Sequence, residues 1–313
     1  MEESATLSQD TSPAFSILIG LVSTEDGERI FEVLDSLRNQ QGTSTYEVII
    51  ADRRQNEVSR RLDEDYPEVN RFDCPANTSL PELRTKALDA AKGVYIIVTE
   101  DHCVPSDNWL ANIAQAFQDA PDGIAAVGGC VENGVCDTAL DWATFLCEYS
   151  YFLEPIEEGE TTVLAGMNVA YRQSILVEID RKLLTRGFWE TTVHPVLIEK
   201  GFKLYSSNRI KLYHSKKFSL ALFLRQRFIY SRYYAGSRFQ KRQWVKRVLM
   251  FAGTLALPVL LIFRHRQQVR IKGRLVAESK RAIPYLMLFY IVWALGEMAG
   301  YLLGSGESLD RIE

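Results

Sequence analysis

The residues best suited to chemistry lie in YIIVTEDHCVPSDNW, Tyr95 to Trp109, where an apolar strand-type run breaks into Glu100, Asp101 and His102. Three consecutive ionisable side chains are costly to bury. Such a cluster at a strand end therefore serves either an open edge or a ligand. Residues two apart can both reach one ion where a strand opens into a loop, giving an oxygen ligand from Glu100 and a nitrogen ligand from His102. That mixed set suits Mn²⁺ or a similar divalent cation, with phosphate oxygens and water completing the shell. Asp101 is then free to bind a sugar hydroxyl or a ribose. The alternative is a polar turn in which Asp101 caps the following helix, and the residues alone leave both readings open.

The elements that must hold this cluster follow from periodicity. FSILIGLV (15–22) reads as a buried strand, and the next segment puts Ile30, Val33, Leu34 and Leu37 on one helical face. YEVIIAD (46–52) is a second strand, and a helical segment near 56–66 leads to a short third strand in VNRFDCP. SLPELRTKALDAAKG offers Ser79 as helix cap, Glu82 as its capping-box partner and Gly93 as the stop. VYIIVTED is strand four, SDNWLANIAQAFQDA a further helix and GIAAVGGCV strand five. Strands alternating with helices predict an α/β fold, a mostly parallel sheet flanked by helices on both faces. Ligands of such sheets bind at the carboxyl ends of the strands, where both Asp52 and the Glu100–His102 cluster fall.

A chain of 313 residues with 47% hydrophobic and 24% charged content can bury a sizeable core. Its net charge of −4 argues against nucleic acid as a partner. The five cysteines form no CxxC pair, which fits reduced thiols and a cytoplasmic compartment. Residues 1–13 are acidic and polar, carry no secretory-signal pattern, and read as a disordered lead-in. After residue 215 the composition changes. The segment 216–247 mixes arginines with Phe, Tyr and Trp, as expected of an amphipathic helix at a bilayer interface. The region 248–304 holds two apolar segments, 248–263 and 282–304, joined by a basic linker, and 305–313 is a tail. The second segment is long enough to span a membrane, while the first is marginal and contains Pro258. Two buried core helices are the alternative. The basic stretches before and between the segments both favour the cytoplasmic side, which two full crossings would not allow, and this leaves the topology open.

The ordered set FSILIGLVSTEDGERIFEVLDSLRNQ, YEVIIAD, LPELRTKALDAAKGVYIIVTEDHCVPSDNWL, LAGMNVAYRQSIL and GFWETTVHPVLIEKGFKLY resembles the family 2 glycosyltransferases over about residues 14–215. The resemblance implies a GT-A (Rossmann-like) fold and inverting transfer of a sugar from a nucleotide-sugar donor. The family's DxD metal motif falls on Glu100-Asp101-His102, substituted at both outer positions; a related DxH variant uses its histidine as a metal ligand. By the same resemblance Asp52, Ser23 and Glu25 line the nucleotide pocket, Arg84 approaches the diphosphate and Asp101 contacts the donor. Gly166 and Asn168 match a GxN turn at the boundary of donor sugar and acceptor. WETT matches the ED motif, which makes Glu190 the general base and Trp189 a stacking surface for sugar. His214 stands where related enzymes place a further metal or diphosphate ligand. RQRF resembles the QxxRW region, so Arg225, Gln226 and Arg227 would close over diphosphate or acceptor.

The expectation is thus a membrane-anchored inverting glycosyltransferase, its catalytic domain on the cytoplasmic face of the plasma or inner membrane. It would use a nucleotide sugar, UDP-linked, with Mn²⁺ or Mg²⁺, and pass the sugar to a lipid-linked or polysaccharide acceptor in surface-glycan synthesis. A polyprenyl-phosphate acceptor is a variant that needs no strong base. A nucleotidyltransferase would want a basic, glycine-rich loop after strand one, where GLVSTEDGER is acidic. A non-catalytic membrane scaffold with a degenerate transferase domain is the remaining alternative.

Overall fold

The computed structural model describes residues 12–22, 28–42, 44–238 and 243–312. Ser23, Glu25 and residues 1–11 of the expected lead-in lie outside the described residues. The strands are β1 (Phe15–Leu21), β2 (Tyr46–Asp52), β3 (Asn70–Asp73), β4 (Tyr95–Thr99), β5 (Cys103–Pro105), β6 (Ile124–Asn133), β7 (Gly159–Thr161), β8 (Val169–Arg172) and β9 (Lys203–His214). Helices α1 (Arg29–Arg38), α2 (Glu57–Asp65), α3 (Leu80–Ala90) and α4 (Trp109–Asp119) follow β1, β2, β3 and β5. Helix α5 (Ala139–Tyr149) follows β6, and α6 (Gln173–Leu176), α7 (Arg181–Gly187) and α8 (Glu190–Glu199) lie between β8 and β9. The C-terminal part is α9 (Leu220–Arg238), α10 (Trp244–Gly253), α11 (Leu257–Lys272) and α12 (Val276–Leu303).

One mixed sheet runs β3-β2-β1-β4-β8-β6-β9-β5, with β7 also paired to β9. Its first half is parallel, as the βα alternation predicts. Strand β8, from a region with weak periodicity, inserts antiparallel between β4 and β6, so strands four and five of the sequence reading are not neighbours. Strands β1, β2 and β4 are buried on both faces, while the edge strand β3 is partly exposed. Gly93 is not the stop of α3, which ends at Ala90; it lies so close to β1 that a Cβ would meet the Ser16 amide at 2.5 Å. Ser79 does precede α3, but its side chain makes no cap hydrogen bond, and Pro81 in the first turn already dispenses with one donor.

The C-terminal helices depart from the expected segmentation. Helix α9 buries Leu222, Phe223, Ile229 and Ala235. Its other side receives α12, where a Cβ on Gly296 or Gly300 would overlap the Phe228 or Arg232 carbonyl at 2.6 or 2.5 Å. Ala282, Leu286 and Phe289 of α12 belong to the same core as Phe15, Ile17 and Ile19 of β1. The apolar core thus continues past residue 215 into the C-terminal helices. Two helical stretches, Trp244–Lys272 and Val276–Leu303, are long and apolar enough to cross a membrane by length and composition.

Candidate active site

Strand β4 ends at Thr99, and the chain turns through Glu100-Asp101-His102 at the carboxyl edge of the sheet. Strand β5 then pairs antiparallel with β9, with Cys103 opposite His214. That register sets His214 beside His102, their Nε2 atoms 3.2 Å apart and the rings edge-on. Glu100 Oε2 lies 3.3 Å from His102 Nε2. One donor atom from each of Glu100, His102 and His214 falls within 4.8 Å of the others, a spacing that a single cation would close. Two imidazoles and a carboxylate are a donor set for Mn²⁺ or a related ion, and the residues present fit a divalent metal. Asp101 Oδ1 accepts from His102 Nδ1 at 2.7 Å, which orients the ring so that Nε2 faces His214. Asp101 therefore also positions His102, beyond the donor contact expected of it.

The charges are mutually stabilised. Burial works against ionising Glu100, but the hydrogen bond from His102 and the charges of His102 and Arg84 hold its carboxyl below the usual range. Burial likewise opposes charge on His102, and hydrogen bonds to Asp101 and Glu100 outweigh it, so its pKa is raised. His214 is pushed well below the ordinary histidine value by burial and by His102, which keeps its nitrogen free to ligate. Arg84, on α3, donates from Nη2 to Glu100 at 2.9 Å and from Nη1 to the Phe188 carbonyl at 3.1 Å. It ties the β4 edge to the turn that begins α8.

Glu190 is the first residue of α8, and Trp189 is its N-cap. It is half-buried, and desolvation raises its pKa despite a backbone hydrogen bond and the Arg84 charge. Gly166 makes room for it, since a Cβ there would overlap Glu190 Oε2. Glu190, Gly166 and Arg84 open with Glu100, His102 and His214 onto one cavity of about 440 Å³. Trp189, Gln226 and Arg227 also line it. Arg227 pairs with Glu148 at 2.9 Å and lies over the Trp293 ring at 4.0 Å, which brings a residue of α12 to the cavity wall.

Other expected site residues are placed differently. Asn168 is fully buried: its Nδ2 donates to the Cys130 and Ile210 carbonyls and its Oδ1 accepts from Trp109 Nε1. It staples β8 to β6 and β9 and offers nothing to a sugar. Arg225 is exposed on α9 and does not line the cavity, because the helical turn that sends Gln226 and Arg227 inward sends it out. Asp52 is buried at the end of β2, accepting from Ser59 Oγ at 2.6 Å and the Arg54 amide at 2.8 Å. It reaches the site indirectly, through Arg54, whose Nη1 is 4.0 Å from Asp101.

Sequence reasoning missed Arg54, Glu148, Tyr149, Lys216 and Trp293. Tyr149 packs tilted against His214 at 4.7 Å between ring centroids, and buried Lys216 lines the cavity just beyond β9. Only Lys216 carried a signal, the charge in KLYHSKK two residues after His214.

Comparisons with known proteins agree with this arrangement. The chain is 25% identical over 179 residues to the glucosyl-dolichyl phosphate glucuronosyltransferase of Haloferax volcanii, covering 52% of this chain and 54% of the relative. It thus spans about half the length of the curated relative it matches. The fold is similar to a Pyrobaculum calidifontis mannosyltransferase, PcManGT, solved with GDP-Man and Mn²⁺, at 16% identity and a TM-score of 0.56 over 92% of this chain and 88% of that one. It is also similar to GalNAc-T7 with UDP, GalNAc and Mn²⁺, at 15% identity and a TM-score of 0.52 over 67% of this chain and 45% of that one. Both are GT-A glycosyltransferases. Residues 22–180, about half of the chain, match Glycosyl transferase family 2, and the chain belongs to that family of glycosyltransferases.

Proposed function

We propose that the protein transfers a sugar, with inversion, from a UDP-linked donor to a lipid-linked or polysaccharide acceptor at the cytoplasmic face of the cell membrane. The observation that carries this reading is the opening of Glu190 onto the same cavity as Glu100, His102 and His214. Inversion needs an acceptor hydroxyl deprotonated on the face opposite the leaving diphosphate, and a half-buried carboxyl with a raised pKa is a better proton acceptor than an ordinary one. Glu190 takes that proton, while Trp189 offers its ring to a sugar. Glu100, His102 and His214 would hold Mn²⁺ or Mg²⁺, which when bound supplies positive charge to the departing diphosphate. Arg84 keeps Glu100 ionised and adds its own charge at the same wall, and Arg227 does so from α9.

A lipid acceptor is favoured by the apolar C-terminal helices and by the dolichyl phosphate in the relative's name. If the acceptor is itself a polyprenyl phosphate, its oxygen is already an anion and Glu190 loses importance. The test is a panel of nucleotide sugars incubated with the full chain and polyprenyl-linked acceptors, with Mn²⁺, Mg²⁺ or EDTA. Metal-dependent transfer that inverts the anomeric centre is expected. Full activity in EDTA would remove the metal assignment, and a retained anomeric configuration would remove Glu190 as base.

A further inference from the structure

Helix α12 has 28 residues and so runs about 42 Å, enough to cross a bilayer core of about 30 Å. Yet both ends of the pair formed by α10–α11 and α12 are tied to the catalytic domain. At the open end, Arg247 of α10 donates from Nε to the Tyr301 carbonyl at 2.8 Å. The chain there continues into Gly304, whose carbonyl accepts from Arg232 of α9 at 3.2 Å. Helix α9 is fixed in turn, since the Tyr233 hydroxyl donates to the Arg186 carbonyl at 2.6 Å. At the closed end, Lys272 Nζ donates to the Pro155 carbonyl at 2.7 Å, and Arg274 forks onto the Glu132 carboxylate at 3.0 and 3.1 Å. Between these ends, Ala282, Leu286 and Phe289 are buried, and α12 packs along α9 and α5.

A hairpin that crosses a bilayer carries its turn to the far side, a membrane thickness away from the domain it leaves. Here turn and open end both touch that domain. We infer that neither helix crosses: α10 and α11 lie in the plane of an anionic lipid surface, and α12 is the floor that joins them to the catalytic domain.

The face available for this is apolar and basic. Trp244, Leu249, Leu255, Val259 and Phe263 are all 66–73% exposed. From Trp244 to Arg274 the chain has seven Lys or Arg residues and no Asp or Glu. Lys246, Arg264, Arg266 and Arg270 among them are exposed. Large apolar side chains interleaved with cations are what an in-plane helix presents to headgroups and the upper acyl chains, and the matching charge is that of acidic phospholipids. The arrangement also removes the conflict between two crossings and two basic flanks. It does not depend on the transfer reaction, because its test reads topology without turnover.

The full chain carrying Lys280→Cys is reconstituted in vesicles of phosphatidylcholine and phosphatidylglycerol and treated with a membrane-impermeant maleimide. Cys136, exposed on the catalytic domain, is the internal reference. Both thiols labelled on the same molecules is expected. Label at the introduced thiol only from the side opposite Cys136, or only after detergent, would overturn the in-plane arrangement. In a second arm the triple change Arg264→Glu, Arg266→Glu, Arg270→Glu should weaken partition onto phosphatidylglycerol vesicles by about 100-fold or more, with far less effect on neutral vesicles. An unchanged partition would refute the acidic surface. A detergent-free dimer that ignores vesicles would assign the face to a second copy instead and overturn the inference.

Discussion

The substitution Gly166→Ala isolates the position of Glu190 from its chemistry. In the structure a Cβ at residue 166 would overlap Glu190 Oε2 and lie 3.2 Å from its Cδ. The carboxyl must retreat by roughly 1 Å to restore ordinary contact, and a misplacement of that size costs on the order of 100-fold in rate. Gly166 is not at a positive φ, so alanine adds no backbone strain. The proposed metal ligands Glu100, His102 and His214 are held by β4, β5 and β9, none of which carries residue 166. The expected outcome is therefore a kcat about 100-fold lower, with donor and Mn²⁺ affinity within a factor of three of the parent by calorimetry. The cycle with Glu190→Gln sharpens the result: the double variant should be no slower than Glu190→Gln alone, because a displaced base and an absent base are equally idle. A Gly166→Ala enzyme of normal kcat, or losses that multiply in the double variant, would refute Glu190 as the base placed by this contact.

Three further outcomes follow. Glu190→Gln should lower transfer to a hydroxyl acceptor by about 10²–10⁴-fold, and the parent's rate should rise with pH through the elevated Glu190 pKa, an inflection that steady-state profiles should lose in the variant. Because the folded-state pKa of Glu190 is raised above its unfolded value near 4.3, its contribution to stability is present at low pH and lost as pH rises through the folded value. The glutamine variant should accordingly be no less stable than the parent at pH 7 in urea unfolding; a clear loss there would count against a half-buried, penalised carboxyl. His102→Ala should weaken Mn²⁺ binding by more than the 10–100-fold typical of supporting residues, read by calorimetry on the enzyme without donor, and unchanged affinity would discard the ligand set. Asn168→Ala leaves two buried carbonyls and the Trp109 indole N–H unpaired, for a cost of roughly 3–5 kcal/mol at about 1–3 kcal/mol each with partial relaxation; a loss below 1 kcal/mol in chemical unfolding would restore Asn168 as a surface available to substrate.

Runs such as ILIGL and VIIA can be satisfied only by burial on both faces, so β1, β2 and β4 are legible in the sequence by itself. The sequence also determined that Glu100, Asp101 and His102 stand at the carboxyl edge, since an apolar strand cannot continue through three ionisable residues. The resemblance to family 2 glycosyltransferases, not the residues alone, pointed to Glu190 in WETT and to Arg84 in the helix before β4. What the sequence could not supply is pairing between segments a hundred residues apart. His214 becomes a partner of His102 only through the antiparallel register of β5 on β9, and a three-residue strand has no periodicity to announce it. Asn168 carries the polar type of a ligand contact, but its partners are carbonyls of β6 and β9, which only the insertion of β8 brings within reach. The C-terminal helices make the same point on a larger scale. Hydropathy reads α12 as a span because it is apolar on every side, and a helix apolar on every side is equally at home in a protein core. The tertiary structure supplies a protein neighbour for one side, packing α9 against Gly296 and Gly300 and α5 along the same helix, because those partners are brought up by segments distant in the chain.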